Sequence, residues 1–285
     1  VDVDSNDNVY VFNRGTKPVI VFNPDGDVIE TWGDGIFQNP HAITIGPDNE
    51  VYCVDNGDSS VRKFNSKREL LFTLGTPGKE APAMSGKPFA KPTHVAIDKR
   101  TGEFYVADGY ANAVVHKYTP EGELQFTWGE SGTDPGQFNI VHNICVDDDG
   151  WVYIADRENH RIQIFDSNGK FETQWVNMSR AATITLDSGS GEQLLYVGEY
   201  FSGIGTNHMG TNLGPRVSIY NLKGELLSRV GKEPYGEQQG RFYSPHGIAV
   251  DSKGDIYVAE VSYSDYGKNM NPPRELRSMQ KLVRV

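Results

Sequence analysis

Cysteine is scarce, with two in 285 residues, and both stand inside apolar strand patterns, Cys53 in "VYCVD" and Cys145 in "NICVD". A small buried thiol is the expected state of each, rather than a disulfide or a reactive cysteine, so neither reports a redox compartment. Positive charge is also short: 27 Lys and Arg face 38 Asp and Glu, a formal net charge of −11, which disfavours nucleic acid or an anionic membrane surface as partner. No apolar run approaches the roughly 18 residues that a membrane-crossing helix needs, and no signal-like apolar segment opens the chain. The expectation is a soluble chain with no nucleic-acid and no membrane partner. It begins at Val1 rather than Met, which leaves the compartment unread. Helical periodicity is missing as well.

What the chain has instead is a repeat. "HNICVDDDGWVYIADRENHRIQIFDSNGKFETQWV", "HAITIGPDNEVYCVDNGDSSVRKFNSKRELLFTLG" and "HGIAVDSKGDIYVAEV" share one plan: strand, polar turn, strand ending in an acid, strand, turn, and a fourth segment often ending in Trp-Gly. The turns "DDDG", "SKGD", "NPDGD", "TPEGE", "DSNG" and "NLKGE" are hairpin chemistry, and the runs between them are rich in Val, Ile, Tyr and Phe. Second strands end at Asn13, Asp55, Asp108, Asp156, Glu199 and Glu260, which makes six units. Six four-stranded units predict an all-β, six-bladed β-propeller in a single domain, with blades near 1–33, 38–75, 89–129, 138–176, 180–231 and 242–285. A β-sandwich is the rival, but a sandwich does not require repeats in register. The ring is expected to close near the termini.

Three histidines fall at one position of this repeat. His41, His142 and His246 each precede the end of their second strand, Asp55, Asp156 and Glu260, by 14 residues. They belong to units two, four and six, so they sit on alternate blades, roughly 120° apart, at one mouth of the channel that first strands line. Three converging imidazoles with an open fourth position are a catalytic metal geometry, most simply zinc. Register puts Thr93 at the equivalent position of unit three and Ala182 in unit five; His94, one step further, is turned by strand alternation to the other face. The competing reading is that Pro-His opens such strands for turn and packing reasons. His116 and His160 read as structural or solvated positions on outer strands, and His208 as a solvent-facing loop residue.

Second strands return to the same mouth, so the residues after them are candidates too: Arg14, Tyr110 and Arg157. Arginine offers a forked cation for a substrate carboxylate, and a phenol beside a cation can act as a base. The alternative is that Arg14 and Arg157 merely pair with rim acids.

"HGIAVDSKGDIYVAE" and "VYIADRENHRIQIF" resemble the NHL class of propeller over essentially the whole chain. "FNRG", "NPHAITI", "PTHVAIDKRTGEFYVADGYANAVVHKY", "FNIVHNICV", "IADRENHRIQIF" and "SPHGIAVD" are more narrowly similar to the peptidyl-α-hydroxyglycine α-amidating lyases. That resemblance implies a zinc-dependent lyase that splits an N-acyl carbinolamine into an amide and glyoxylate. It implies zinc on His41, His142 and His246, Tyr110 as base, and Arg14 and Arg157 binding the substrate and steadying the phenolate. The likeness stops at two places: Gly247 replaces the acid that helps hold a structural calcium, and Ala111 replaces a disulfide cysteine. Loops 200–216 and 261–275 follow second strands and are expected to overhang the mouth and reshape the pocket for a small-molecule or short-peptide substrate. Two other functions stay open, a non-catalytic NHL protein-interaction module and a metal-dependent propeller hydrolase or lactonase.

Overall fold

Strands such as Val51–Asp55, Phe104–Asp108 and Val152–Asp156 are buried along their whole length. A strand covered on both faces needs a continuous apolar run, and one sheet cannot cover both of its own faces. Outer strands such as Leu70–Leu74 and Leu124–Trp128 instead start exposed and end half-buried. The fold that satisfies both patterns is a ring of sheets. The computed structural model of the chain describes residues 1–187, 191–200, 213–231 and 233–284.

Antiparallel sheets follow one another in chain order as six blades of a β-propeller. Blade 1 holds Asp2–Val3, Val9–Phe12, Val19–Phe22 and Val28–Trp32. Blade 2 holds Pro40–Ile45, Val51–Asp55, Ser60–Phe64 and Leu70–Leu74, and blade 3 holds His94–Ile97, Phe104–Asp108, Val114–Tyr118 and Leu124–Trp128. Blade 4 runs from Val141–Val146 through Val152–Asp156 and Arg161–Phe165 to Phe171–Trp175; blade 5 holds Ala181–Leu186, Leu194–Glu199, Arg216–Asn221 and Leu226–Val230. Blade 6 departs from the expected four strands: among the described residues it has three, Pro245–Val250, Ile256–Glu260 and Met279–Leu282. Its inner strand packs against those of blades 5 and 1, and the Ser252 hydroxyl donates to Asp7 at 2.7 Å. The ring therefore closes between the first and last blades.

The core is divided into wedges between neighbouring blades. Tyr105, Phe138, Ile154 and Phe165 fill one wedge between blades 3 and 4, and Tyr153, Ile162, Ile184 and Val197 the next. Each such side chain contributes about 1.5–3 kcal/mol of burial. The recurring Trp has a specific place: Trp128 and Trp175 pack under the hairpin glycines of the following blades, Gly169 and Gly224, where a Cβ would stand 2.8 and 2.6 Å from the indole. Both glycines have positive φ, 76° and 83°, so turn conformation and close approach demand the same residue.

Candidate metal centre

The repeat acids act before the histidines do. Asp55 accepts the backbone amides of Gln38 and Asn39 at 2.5 and 2.9 Å, Asp156 that of Asn139 at 2.7 Å, and Glu260 those of Tyr243 and Ser244 at 2.6 and 3.0 Å. Each carboxylate thus ties down the segment that enters the inner strand of its own blade, two or three residues ahead of a histidine. Carboxylates that accept several backbone amides hold such a turn firmly. The 14-residue spacing in the sequence is the trace of this tie.

Each histidine is also the extra residue of a β-bulge. Pro40 pairs with Asp55 and Ala42 with Val54, leaving His41 outside the ladder; the same break occurs at Val141/Asn143 around His142 and at Pro245/Gly247 around His246. Bulges re-aim a side chain, and here three are aimed at one point. The ligand nitrogens all lie within 4.8 Å of one another, and among the described residues these three form the one grouping suited to a metal. Ring centroids are 5.2 Å apart for His41 and His142, 5.0 Å for His41 and His246, and 4.7 Å for His142 and His246.

The intervening blades set the tautomers of two of them. His41 Nδ1 lies 2.6 Å from the Thr93 carbonyl and His142 Nδ1 2.5 Å from the Ala182 carbonyl. A carbonyl only accepts, so Nδ1 carries the hydrogen and Nε2 presents a lone pair to the channel. Thr93 and Ala182 are the two residues that register places at the histidine position. Burial, followed by neighbouring positive groups, holds His142 and His246 well below the usual imidazole pKa. Burial likewise lowers His41 to about 3, against the Thr93 hydrogen bond. All three are neutral donors at neutral pH.

Tyr110 completes the cluster. Its hydroxyl is 3.0 Å from His41 Nε2 and 2.9 Å from His142 Nε2. The phenol has one hydrogen for two acceptors, so a lone pair remains facing oxygen without a proton between them. That excess of acceptors fits a cation, and three neutral imidazoles fit zinc. Gly109 allows the approach, because a Cβ there would overlap the Val141 carbonyl of the strand bearing His142. The Arg157 guanidinium lies 5.6 Å from the Tyr110 ring centroid, and its Nε donates to Glu158 at 2.7 Å. Arg14 donates to the Pro40 carbonyl at 3.3 Å, is exposed, and makes no ion pair with any described residue. The rim-pairing alternative therefore applies to Arg157 alone, and only to its Nε. Burial raises the Tyr110 phenol pKa, outweighing the pull of Arg157 and then Arg14 in the opposite direction. The two arginines by themselves leave it protonated at neutral pH.

Other expectations resolve individually. His94 stays out of the trio, but it lines the channel one layer from it rather than facing away, held there by the Ile144 carbonyl of the next blade, which its Nδ1 meets at 3.1 Å. His116 is buried between Thr127 and Asp108, at 2.7 and 3.3 Å, a structural role. His160 follows a short 3₁₀ turn with φ 54°. Cys53 and Cys145 are free, and burial pushes both thiols up. His208 and most of loop 200–216 lie outside the described residues. Loop 261–275 contains a short helical turn, Ser262–Asp265. Its Tyr263, Ser264 and Glu275 share with Arg14 and the three histidines a cavity of about 440 Å³. Glu158 and Tyr200 also contact Arg157; sequence reasoning missed Glu158 and gave Tyr200 no role, although Tyr200 follows a second-strand acid as Arg157 does.

The buried neutral imidazoles also set a pH dependence. His94, pushed down to about 3 by burial, takes up no proton in the folded chain where an unfolded histidine would near pH 6.5. Stability from this group is present above pH 6.5 and lost as pH falls toward 3, by up to about 1.4 kcal/mol per pH unit. His94→Asn keeps a donor for the Ile144 carbonyl, which His94 Nδ1 meets at 3.1 Å. We expect it to flatten the fall of the metal-free unfolding midpoint between pH 6.5 and 4; an unaltered slope would refute the assignment.

Comparison with known proteins agrees with this geometry. The NHL repeat profile matches residues 138–165 and 242–264, the segments bearing His142 and His246. The chain is 30% identical over 286 residues to mouse NHL repeat-containing protein 3, covering 92% of this chain and 76% of that one. It is 34% identical over 261 residues to peptidyl-alpha-hydroxyglycine alpha-amidating lyase 1 of Drosophila melanogaster, covering 83% of this chain and 45% of that one. With peptidyl-glycine alpha-amidating monooxygenase B of Xenopus laevis it shares 30% identity over 98% of its own length and 32% of the relative's. The chain thus spans less than half the length of these amidating relatives. Among solved structures, virginiamycin B lyase from Staphylococcus aureus superposes with a TM-score of 0.57 at 14% identity, over 90% of this chain and 89% of that one, a likeness of fold.

Proposed function

The chain belongs to the NHL-repeat proteins, and on that premise we propose that its channel mouth is the active site of a zinc-dependent lyase of the amidating type. The substrate class is a carbinolamine, or another small hydroxylated compound bearing a carboxylate. One observation carries the reading: three neutral imidazoles converge, and the phenol beside two of them supplies one proton for two Nε2 acceptors. The 34% identity to a relative named for the lyase activity supports it.

His41, His142 and His246 would hold the metal. Zinc, when bound, would stabilise negative charge developing on the substrate oxygen. The remaining work belongs to the side chains. Splitting R–CO–NH–CH(OH)–COO⁻ requires the hydroxyl proton to leave while the C–N bond breaks and its electrons pass to nitrogen. Tyr110, as phenolate, accepts that proton, and the same phenol can return it to the departing amide nitrogen, so no water is consumed. Arg157 lies against the phenol ring, steadies its charge, and through its Nη groups would join Arg14 in binding the substrate. Arg14, exposed at the rim, is free to take the substrate carboxylate through its forked Nη groups.

Glyoxylate release from α-hydroxyhippurate by the metal-loaded chain tests the reading. Release well above the spontaneous rate is expected, and its loss on chelation with return on zinc. A metal-loaded chain that releases none overturns the carbinolamine reading. The similarity to NHL repeat-containing protein 3, whose name states no activity, keeps an interaction module as the second reading, which predicts no release.

A further inference from the structure

Arg157 is held by three residues, and they come from three blades. Its guanidinium lies near two phenol rings, 5.6 Å from the centroid of Tyr110 and 5.7 Å from that of Tyr200. Glu158 accepts from Arg157 Nε at 2.7 Å and from Arg180 Nη2 at 2.5 Å. Arg180 in turn lies 5.1 Å from the Tyr200 centroid, and the Tyr200 amide donates to the Arg180 carbonyl at 2.7 Å. Tyr200 is thus flanked by two guanidinium groups at a site that is 7% exposed. Its hydroxyl donates to Asp265, on the helical turn of the segment that walls the cavity. Its ring is 6.3 Å from that of His246.

We propose that Tyr200 is a positioning residue: its ring fixes the Arg157 guanidinium against Tyr110, and its hydroxyl latches the segment around Asp265 over the channel mouth. This role rests on the lyase reading above and adds to it the part that orders its charged side chain. Without the ring, an arginine whose Nε is engaged by Glu158 still turns its Nη groups about that bond. Cation–π contact with two rings removes the freedom, because the guanidinium must suit both at once. The latch matters for the substrate as well, since the residues beside Asp265, Tyr263 and Ser264, line the same cavity as the histidines.

Kinetics on α-hydroxyhippurate separate this role from a structural one. Tyr200→Leu is expected to raise KM about tenfold, with kcat lowered less, while metal content stays at the wild-type level. Tyr200→Phe keeps the ring and is expected to stay within about twofold of wild type in KM. It releases the latch, so amide exchange across 262–269 is expected to quicken in both variants. Tyr200→Met, of comparable bulk and without a ring, replaces the Leu variant should that one not fold. Leu or Met variants with wild-type KM, or a Phe variant as impaired as they are, would overturn the role of the ring, and unchanged exchange at 262–269 the latch. A metal-loaded wild type that neither releases glyoxylate nor binds hippurate in calorimetry overturns the lyase reading itself, a result distinct from wild-type turnover with indifferent variants.

Discussion

Purified without added metal, the wild-type chain is expected to carry close to one equivalent of transition metal, and His142→Ala less than about a tenth. The change removes the most enclosed of the three ligands, 1% exposed. Two histidines and a neutral phenol then remain, too few strong donors for a tight site. It also orphans the Ala182 carbonyl, which His142 Nδ1 meets at 2.5 Å, and an unpartnered buried acceptor costs about 1–3 kcal/mol. A lower unfolding midpoint should therefore accompany the lost metal. His94→Asn, one layer away, should keep the full complement. Equal metal in wild type and His142→Ala, or negligible metal in both, would remove the metal centre and every step that depends on it.

Tyr110→Phe carries the second large effect. General-base catalysis by a positioned side chain contributes about 10²–10⁴-fold, so turnover should fall by that order while metal content remains. The phenyl ring keeps its edge contacts with His41 and His142, at centroid separations of 5.1 and 5.4 Å, and its stacking with Arg157. Only the hydroxyl is lost. Because burial raises the phenol pKa despite both arginines, the phenolate needs the additional pull of a bound cation. The wild-type rate should consequently vanish with the metal rather than decline in proportion to Tyr110 ionisation. Full turnover in Tyr110→Phe would take the base role from Tyr110 and leave the metal site standing.

Much of this site is visible in the chain before folding. The hairpin turns, the alternating runs and the six strand-ending residues from Asn13 to Glu260 are local signals, and local signals survive in a single sequence. The common offset of His41, His142 and His246 is a matter of counting along those signals. The same counting separated Thr93 from His94. It failed on the direction in which His94 points, because the contact that holds His94, to the Ile144 carbonyl of the next blade, lies 50 residues away and leaves no mark in a period-of-two pattern.

The sequence by itself determined the architecture and the register of the three histidines, since turn chemistry and strand periodicity act between residues close in the chain. Only the tertiary structure decided what those histidines are. Their ring nitrogens meet because bulges aim them at one axis. The tautomers of His41 and His142 are set by carbonyls 52 and 40 residues away, at Thr93 and Ala182. The Tyr110 phenol stays protonated because burial outweighs Arg157 and Arg14, and Arg157 is ordered by Tyr200 from the neighbouring blade. Each of these is a through-space balance of desolvation, hydrogen bonding and charge, which exists only once the blades have closed into a ring.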